Sequence, residues 1–293
     1  MTLLRKLLEL IRFSHTVFAL PFALASAAIA WKIDGFRWLD LFGILLCMVA
    51  ARSFAMAFNR LADRDVDAKN PRTLLRHLPV GSLAVGTVTA FTFLCGAAFL
   101  LSTWLFQFRE PPNPWPFQLS IPVLLFLAGY SLTKRFTSFA HFWLGTALAI
   151  APIAAWIAVR GVIDMQTPLL LGGGVLFWVA GFDMLYACQD AEFDRRHGLF
   201  SIPGRFGVTG ALRLAATSHA MAFAFFLAFA FLCPQVGWVT RITVIAIGGL
   251  LVYQHRLVSP NDLTRVNQAF FNVNAMISGA ILAAVLIDVT VLR

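Results

Sequence analysis

Two short acidic stretches contain the residues whose types and spacing favour metal chemistry. In one of them, DMLYACQDAEFD, Asp183, Asp190 and Asp194 are separated by intervals of seven and four residues. On a helix of about 3.6 residues per turn this spacing places all three carboxylates on one narrow face, with Tyr186 beside them and Glu192 opposite. Carboxylates that share a face repel one another, and a hard divalent cation is the simplest group that would neutralise them.

The other stretch, NRLADRDVD, has the same character. Asn59, Asp63 and Asp67 follow one another at intervals of four residues and share a helical face, whereas Asp65 points away. Seven of the fourteen acidic residues of the chain lie in these two stretches. We therefore predict a metal site whose ligands are Asn59, Asp63, Asp67, Asp183, Asp190 and Asp194.

The composition of the chain indicates what kind of scaffold holds these residues. Of its 293 residues, 59% are hydrophobic and only 13% are charged, and the mean hydropathy is +0.79. An ordinary soluble domain has about 25% charged residues. No polar linker interrupts the apolar runs, so we predict an all-α integral membrane protein with a single domain over residues 1–293. The four cysteines form no CxxC pair and are read as small core residues.

Long apolar segments predict nine transmembrane helices around a central cavity, since a helix needs about 20 apolar residues to cross a bilayer. Basic residues precede the first segment, but eight more follow, so it is interpreted as a retained helix rather than a signal peptide. The predicted spans are 14–32, 38–62, 83–105, 119–134, 139–159, 168–191, 211–233, 239–256 and 270–291.

The distribution of positive charge predicts the orientation of the chain in the membrane. The net charge of +9 is interpreted as membrane topology rather than as a nucleic-acid-binding surface, because sixteen of the 23 Lys and Arg residues fall at alternate span ends. By the positive-inside rule these ends are cytoplasmic, which places the N-terminus inside and the C-terminus outside. Both acidic stretches then lie at cytoplasmic helix ends, so we expect the active site on that side.

Carboxylates with arginines nearby favour a polyanion that is held through metal ions. Mg²⁺ prefers a few carboxylates together with phosphate oxygens, so a diphosphate is a suitable ligand. At the edge of a membrane a diphosphate implies a lipid tail, and an isoprenoid diphosphate has both parts. Its tail would lie among the Phe-rich helices.

These residues carry a family resemblance. The chain resembles the UbiA superfamily of intramembrane prenyltransferases. The first stretch matches the NxxxDxxxD motif of that family, and the second matches DxxYxxxDxxxD. YSLTKRFT from Tyr130 is similar to the loop between its spans four and five, and RFSHTVFALPFA from Arg12 is similar to its first helix. QDAEFDRRHGLFSIPGRFG resembles the 4-hydroxybenzoate polyprenyltransferase-like branch, which includes futalosine-pathway menaquinone enzymes.

The resemblance implies a Mg²⁺-dependent transferase of ubiquinone or menaquinone biosynthesis in the inner, cytoplasmic membrane of a bacterium. The allylic C–O bond of a polyprenyl diphosphate ionises, an aromatic acceptor attacks the carbocation, and a base removes the ring proton. Asp63, Asp67, Asp190 and Asp194 would carry the catalytic role. The expected substrate-binding residues are Arg52, Arg72, Tyr130, Lys134, Arg135 and Tyr186.

Several of these residues also have purely structural interpretations. Arg52 lies about two turns below Asn59 on the same face, so it either binds a carboxylate of the acceptor or pairs with Asp183 or Asp63. Lys134 and Arg135 fit the positive-inside pattern as well as a diphosphate site. Tyr186 borders the acidic stripe and is interpreted as functional, the alternative being that its hydroxyl caps a contact between helices. His77 and His197 have no metal-ligand spacing and are predicted to be surface residues.

Two alternatives to this function remain open from the sequence. The acceptors left open are 4-hydroxybenzoate, another phenol, a futalosine derivative and haem. From a different class, a cation transporter also uses acids within a membrane, but it should hold them near the midplane in broken helices. The predicted position at cytoplasmic helix ends, followed by arginines, favours an enzyme that binds a polyanion.

Overall fold

The computed structural model describes residues 2–11 and 18–291, in which the regular secondary structure is helical. Residues 12–17, with Arg12 and the beginning of the first predicted span, lie outside this part. The helices are α1 (Leu3–Leu10), α2 (Leu20–Asp34), α3 (Trp38–Ala62), α4 (Arg64–Asp67), α5 (Val85–Trp104), α6 (Trp115–Tyr130), α7 (Ala140–Arg160), α8 (Gln166–Ala187), α9 (Ala191–Arg196), α10 (Ile202–Leu232), α11 (Trp238–Arg256), α12 (Val266–Gln268) and α13 (Asn274–Thr290).

Each predicted span coincides with a helix over most of its described length. Among the described residues, six helical segments are long and apolar enough to cross a membrane, and α6 is a shorter apolar helix. These six are Trp38–Ala62, Val85–Phe108, Ala140–Arg160, Gln166–Arg196, Ile202–Leu232 and Val266–Thr290. The chain is therefore an all-helical protein with membrane-spanning character, and α2 and α11 correspond to predicted spans outside this set.

Two predicted boundaries are wrong. The fourth span was predicted at 119–134, but α6 begins at Trp115, because Pro116 lies in the first turn, where its missing N–H costs no hydrogen bond. The seventh was predicted to begin at 211, whereas α10 begins at Ile202, where Ser201 caps the helix by accepting from Gly204 N at 3.1 Å. A kink at Gly207, with φ at 70°, separates this first turn from the long apolar part.

The helices group into two compact units. The first contains α1 and α3–α6, and the second contains α2 and α7–α13. In the first unit α5 packs along α3, and α6 packs on both. In the second, α8 is central, since it packs between α7 and α10, while α2 contacts both α7 and α13. Most of the residues of α8 are buried, which explains why its sequence is apolar on all sides.

A residue without a side chain allows a close helix contact in the second unit. Gly145 of α7 lies against the backbone of α8, where a Cβ at this position would collide with the carbonyl oxygen of Leu176. Backbone atoms cannot move aside as a side chain can. The α7–α8 spacing therefore depends on the absence of a side chain at Gly145, as is common where membrane helices approach closely.

We expect Gly145→Ala to destabilise the protein by about 1–3 kcal/mol, because the added methyl group must separate two packed helices. Gly279→Ala is the matched control: it is also helical, and a Cβ there meets nothing within 4 Å. Thermal unfolding in the same detergent measures both variants. Equal melting temperatures for the two would show that the α7–α8 contact does not depend on Gly145.

Buried acids outside the two motifs have structural partners. Asp40, at the start of α3, is fully buried and lies 2.8 Å from Arg109 Nε. Asp288, near the end of α13, accepts from the backbone N–H groups of Thr240 at 2.8 Å and Val239 at 3.3 Å, and so caps α11. Both carboxylates are therefore explained by packing and helix capping. All four cysteines are free thiols; Cys188 and Cys233 are buried core residues as predicted, whereas Cys47 and Cys95 are half-buried.

Candidate active site

The first acidic motif was predicted to lie on one continuous helix, and this is wrong. Helix α3 ends at Ala62, and Asp63 separates it from the short helix α4. Asn59 Nδ2 donates to Asp63 Oδ2 at 2.7 Å, and Arg60 Nη1 donates to Asn59 Oδ1 at 3.2 Å. These bonds stop the rotation of Asn59 and orient the carboxylate of Asp63. Side-chain pairing, rather than helical periodicity alone, therefore sets the geometry of this motif.

Asp67 is the buried acid of the first motif, with 6% of its surface exposed. Arg76 Nη1 donates to both of its carboxylate oxygens at 2.7 Å, and Arg60 Nη1 lies 4.0 Å away. Thr73 Oγ1 also donates to the Asp67 carbonyl oxygen at 3.0 Å, which folds the following loop back onto α4. A metal ion that binds Asp67 therefore has to share the carboxylate with the Arg76 guanidinium or displace that guanidinium.

A cavity of about 160 Å³ lies beside this pair, within the first unit. Its polar walls are Glu9, Arg60, Asp67, Arg76 and His77. His77 was predicted to be a surface residue, and this is wrong: its Nδ1 lies 2.8 Å from Ser82 Oγ and its Nε2 lies 3.4 Å from Glu9 Oε2. The histidine thus connects the loop to helix α1, which the sequence analysis did not predict. His197, in contrast, is exposed as predicted.

The second motif also departs from a continuous helix. Helix α8 ends at Ala187, a 3₁₀ turn covers Cys188–Asp190, and α9 then begins at Ala191. A 3₁₀ turn has about three residues per turn, so it rotates the side chains that follow it relative to an α-helix. The prediction that three aspartates form one straight stripe is therefore wrong in detail, although Asp190 and Asp194 are both buried.

Asp183 is held by a histidine that the sequence analysis missed. His141 is fully buried on α7, and its Nδ1 lies 2.7 Å from Asp183 Oδ2. The backbone N–H of Ile202 donates to His141 Nε2 at 3.4 Å. Since Nε2 accepts, the ring proton of the neutral imidazole belongs on Nδ1, from which it is donated to Asp183. His141 therefore joins α7, α8 and the start of α10 at the carboxylate.

Asp194 has the environment expected of a cation ligand. Within the described part of the chain, its Oδ2 is buried and has no hydrogen-bond partner. Lys134 Nζ lies 3.7 Å from this oxygen, outside hydrogen-bond distance. Leaving a buried carboxylate oxygen without a partner is costly, and a bound cation would remove the cost. The residues of the second motif therefore fit a metal ion.

The loop that contains Lys134 is attached to the end of the second motif. The backbone N–H of Phe200 donates to the Lys134 carbonyl oxygen at 2.7 Å, and that of Leu199 donates to the Asp194 carbonyl oxygen at 2.9 Å. Lys134 and Arg135 belong to a 3₁₀ turn at Thr133–Arg135. The predicted substrate-binding lysine and the metal-binding aspartate thus lie in one hydrogen-bonded segment.

The remaining predicted site residues lie within helices or in the loops and turns that follow them. Arg52 is half-buried in α3, Tyr130 is the last residue of α6, and Arg72 and Arg135 are exposed. Tyr186 is half-buried on α8, with its ring centroid 4.3 Å from that of Phe270. Neither ionic partner predicted for Arg52 is established by these contacts, and its role stays a prediction.

The acids that were predicted to point away from the motifs do so. Asp65 is exposed and accepts from Arg64 Nε at 3.0 Å. Glu192 is exposed and accepts from Arg195 and Arg196, each at 2.7 Å. Asp67, Asp190 and Asp194 are buried, and Asp63 and Asp183 are half-buried, so each candidate acidic ligand is less exposed than the solvated acid of its motif.

No group of three or more His, Cys, Asp or Glu side chains within residues 2–11 and 18–291 is arranged to hold a metal by itself. Arg60, Arg76 and His141 are the functional candidates that sequence reasoning missed. The arginines had been attributed to membrane topology. No motif residue lies close to His141 in the sequence, so its contact with Asp183 could not be predicted.

Several known proteins are similar to this chain. The model of the UbiA prenyltransferase family matches residues 19–276. A 4-hydroxybenzoate octaprenyltransferase from Nitrosospira multiformis is 31% identical over 259 residues, which are 87% of this chain and 85% of that protein.

Two solved structures share the fold. The apo structure of a UbiA homolog from Aeropyrum pernix K1 superposes with a TM-score of 0.82 at 30% identity, covering 94% of this chain and 98% of that one. A UbiA homolog from Archaeoglobus fulgidus bound to GPP and Mg²⁺ has a TM-score of 0.66 at 20% identity, covering 96% and 99%. The chain therefore belongs to the UbiA prenyltransferase family.

Proposed function

We propose that this protein transfers a polyprenyl group from an isoprenoid diphosphate to an aromatic acceptor of the 4-hydroxybenzoate type. The observation that carries the proposal is the selective burial of the motif acids. Asp67, Asp190 and Asp194 are buried at helix ends, whereas Asp65 and Glu192 are exposed and paired with arginines. The name of the Nitrosospira relative supports the acceptor.

Six side chains would hold Mg²⁺ and, through it, the diphosphate: Asn59, Asp63, Asp67, Asp183, Asp190 and Asp194. The Archaeoglobus homolog that binds GPP and Mg²⁺ supports this assignment. Bound Mg²⁺ would withdraw charge from the diphosphate and so make it a better leaving group. Asp194 Oδ2, which within the described residues has no hydrogen bond and pairs only with the Lys134 ammonium at 3.7 Å, would accept such an ion.

The other site residues would orient the substrates and balance their charge. Lys134, which lies 3.7 Å from Asp194, would turn towards the diphosphate as negative charge develops on it, and Arg72 and Arg135 would add to this field. His141 would keep Asp183 in a fixed orientation, as outer hydrogen-bond partners of ligating carboxylates do. Tyr130 and Tyr186 would contact the substrate.

The overall reaction breaks the allylic C–O bond, and its electron pair leaves with the diphosphate. An aromatic ring carbon of the acceptor then forms a C–C bond with the allylic cation, and the ring proton passes to a base. Asp63, Asp67, Asp190 and Asp194 would act by fixing the leaving group. The apolar helices would exclude water, which otherwise captures the cation.

We further propose a single domain over residues 1–293 with nine transmembrane helices around a central cavity, in a bacterial cytoplasmic membrane. The distribution of Lys and Arg supports a cytoplasmic active site and N-terminus, with the C-terminus outside. Labelling single cysteines introduced at exposed Arg72 and Val162 with an impermeant reagent in cells and in inverted vesicles tests this. Labelling of both from the same side would contradict it.

Prenylation by the purified protein tests the proposed reaction. The protein in detergent or nanodiscs is given Mg²⁺, prenyl diphosphates of several lengths, and 4-hydroxybenzoate, a futalosine derivative or a simple phenol as acceptor. We expect the prenylated product with 4-hydroxybenzoate. Turnover with another acceptor alone would change the acceptor class and keep the prenyl transfer, whereas no transfer to any acceptor would contradict the proposal.

Arg52→Lys tests how the acceptor is bound. If Arg52 grips the carboxylate of the acceptor through two parallel hydrogen bonds, lysine cannot replace it. We expect the KM of the acceptor to rise about tenfold, with the KM of the prenyl diphosphate nearly unchanged. Steady-state kinetics in which each substrate is varied separately measures this.

The control for Arg52→Lys is its thermal unfolding. A change in the KM of the diphosphate alone would place Arg52 in the diphosphate site. Loss of thermal stability with neither KM changed would show that Arg52 serves a structural ion pair.

A further inference from the structure

The end of the chain contains a π-helical turn that the sequence did not predict. Residues Ala269–Val273 form this turn between α12 and α13. A π turn contains an extra residue relative to an α-helix, so it weakens the local hydrogen-bond ladder and rotates the side chains that follow. Such turns persist only where other groups stabilise them, and they often lie at functional sites.

Buried side chains stabilise the turn. Gln254 of α11 and Asn274 of α13 are both fully buried. Asn274 Nδ2 donates to the Phe270 carbonyl oxygen at 2.7 Å, and Gln254 Nε2 donates to the Ala269 carbonyl oxygen at 2.9 Å. Trp178 Nε1 of α8 donates to Asn274 Oδ1 at 2.9 Å, which orients the amide. Three helices thus contribute polar groups to this one turn.

The turn places an aromatic ring on the tyrosine of the second motif. The rings of Phe270 and Tyr186 are 4.3 Å apart between centroids, with planes inclined by 33°. Phe270 also packs against Phe182 at 5.4 Å and Phe18 at 5.5 Å. Phe18 and Phe182 are buried, whereas Phe270 and Tyr186 are half-exposed. The cluster therefore consists of two buried rings, Phe18 and Phe182, that support two accessible rings, Phe270 and Tyr186.

The position of this pair relative to the acids suggests its role. Tyr186 follows Asp183 by three residues and precedes Asp190 by four, so it lies about one helical turn from each. A prenyl diphosphate bound at these acids has its allylic carbon next to the phosphate oxygens. Aromatic faces attract a cation and also exclude water. Two aromatic rings at this place are therefore expected to stabilise the allylic cation rather than to bind the negatively charged diphosphate.

We propose that the π turn, held by Gln254, Asn274 and Trp178, positions Phe270 on Tyr186 so that both rings shield the allylic cation from water. This inference rests on the proposed function. Phe270 would contact the substrate, while Asn274 and Gln254 are positioning residues that act through it. The cation has two fates: a ring carbon of the acceptor forms a C–C bond and loses its proton to a base, or water forms a C–O bond, loses a proton to solvent and gives the prenyl alcohol.

The ratio of prenylated acceptor to prenyl alcohol tests the proposal, since a purely structural role would change the amount of active protein and leave this ratio alone. We expect Phe270→Leu to lower the ratio about tenfold, the equivalent of one lost cation–π contact. Phe270→Tyr keeps the ring and should restore the ratio. Asn274→Leu should lower it in the same direction because the π turn loses its donor.

Phe225→Leu is the matched control, because Phe225 stacks on Phe177 at 5.6 Å elsewhere in the same unit. It should keep the wild-type ratio. A ratio for Phe270→Leu within twofold of wild type, or an equal fall in Phe225→Leu, would overturn the inference while wild-type turnover still supports the proposed function. A wild-type protein that transfers no prenyl group would overturn both.

Discussion

Asp63→Ala and Asp190→Ala should each lower kcat by about 10³-fold or more, because the leaving diphosphate loses its metal-mediated stabilisation. Both acids belong to the motifs, and both are held in defined places. Asp63 accepts from Asn59 at 2.7 Å, and Asp190 is buried at the end of a 3₁₀ turn. Alanine has no carboxylate, so each substitution removes one proposed ligand of the metal ion. Asp190 is buried and Asp63 is half-buried, so solvent does not freely take the place of the lost carboxylate.

The chain offers a matched control for each of these variants. Asp65 lies two residues after Asp63, and Glu192 lies two residues after Asp190, yet both are exposed and paired with neighbouring arginines. Asp65→Ala and Glu192→Ala should therefore keep kcat within about twofold, as substitutions of solvated surface charges usually do. Full turnover by either motif variant would remove that residue from the site. Equal losses in all four would indicate a general effect of charge.

Removal of Mg²⁺ should lower the affinity for prenyl diphosphate by about 100-fold or more. The motif acids carry negative charge, and without a divalent cation they repel the negatively charged diphosphate. Calorimetry with a non-hydrolysable prenyl diphosphate analogue, in EDTA and after restoring Mg²⁺, measures the change in Kd without relying on turnover. The effect should be reversible.

The uncharged prenyl alcohol is the control for this experiment. It shares the apolar tail but has no phosphate, so its Kd should not respond to Mg²⁺. If the diphosphate analogue binds equally well in EDTA, the arginines and Lys134 hold it directly. If the alcohol responds as strongly as the analogue, Mg²⁺ acts on the fold and not on the diphosphate site.

The sequence was sufficient for the class of fold and for the positions of the two motifs. Apolar runs of span length predict helices because backbone groups in lipid must be satisfied within the segment. Helical spacing also separated Asp65 and Glu192 from the other acids, and both are exposed. These features depend on local periodicity, which a single sequence records directly.

The detailed geometry of each motif required the tertiary structure. Helix α3 ends at Ala62, and a 3₁₀ turn interrupts the second motif at Cys188–Asp190, so neither set of ligands follows one regular helix. Periodicity assumes constant rotation per residue and therefore cannot show where a helix ends. Hydrogen bonds to side chains and packing at the helix ends decide that.

The partners of the acids were also decided by tertiary contacts. His141 meets Asp183 from 42 residues away, and Arg76 reaches Asp67 across a folded loop. Gln254 and Asn274, which the sequence analysis did not single out, stabilise the π turn that carries Phe270. Hydrogen bonds between distant segments depend on where the chain brings each donor and acceptor, and the spacing of residues along one helix does not contain that information.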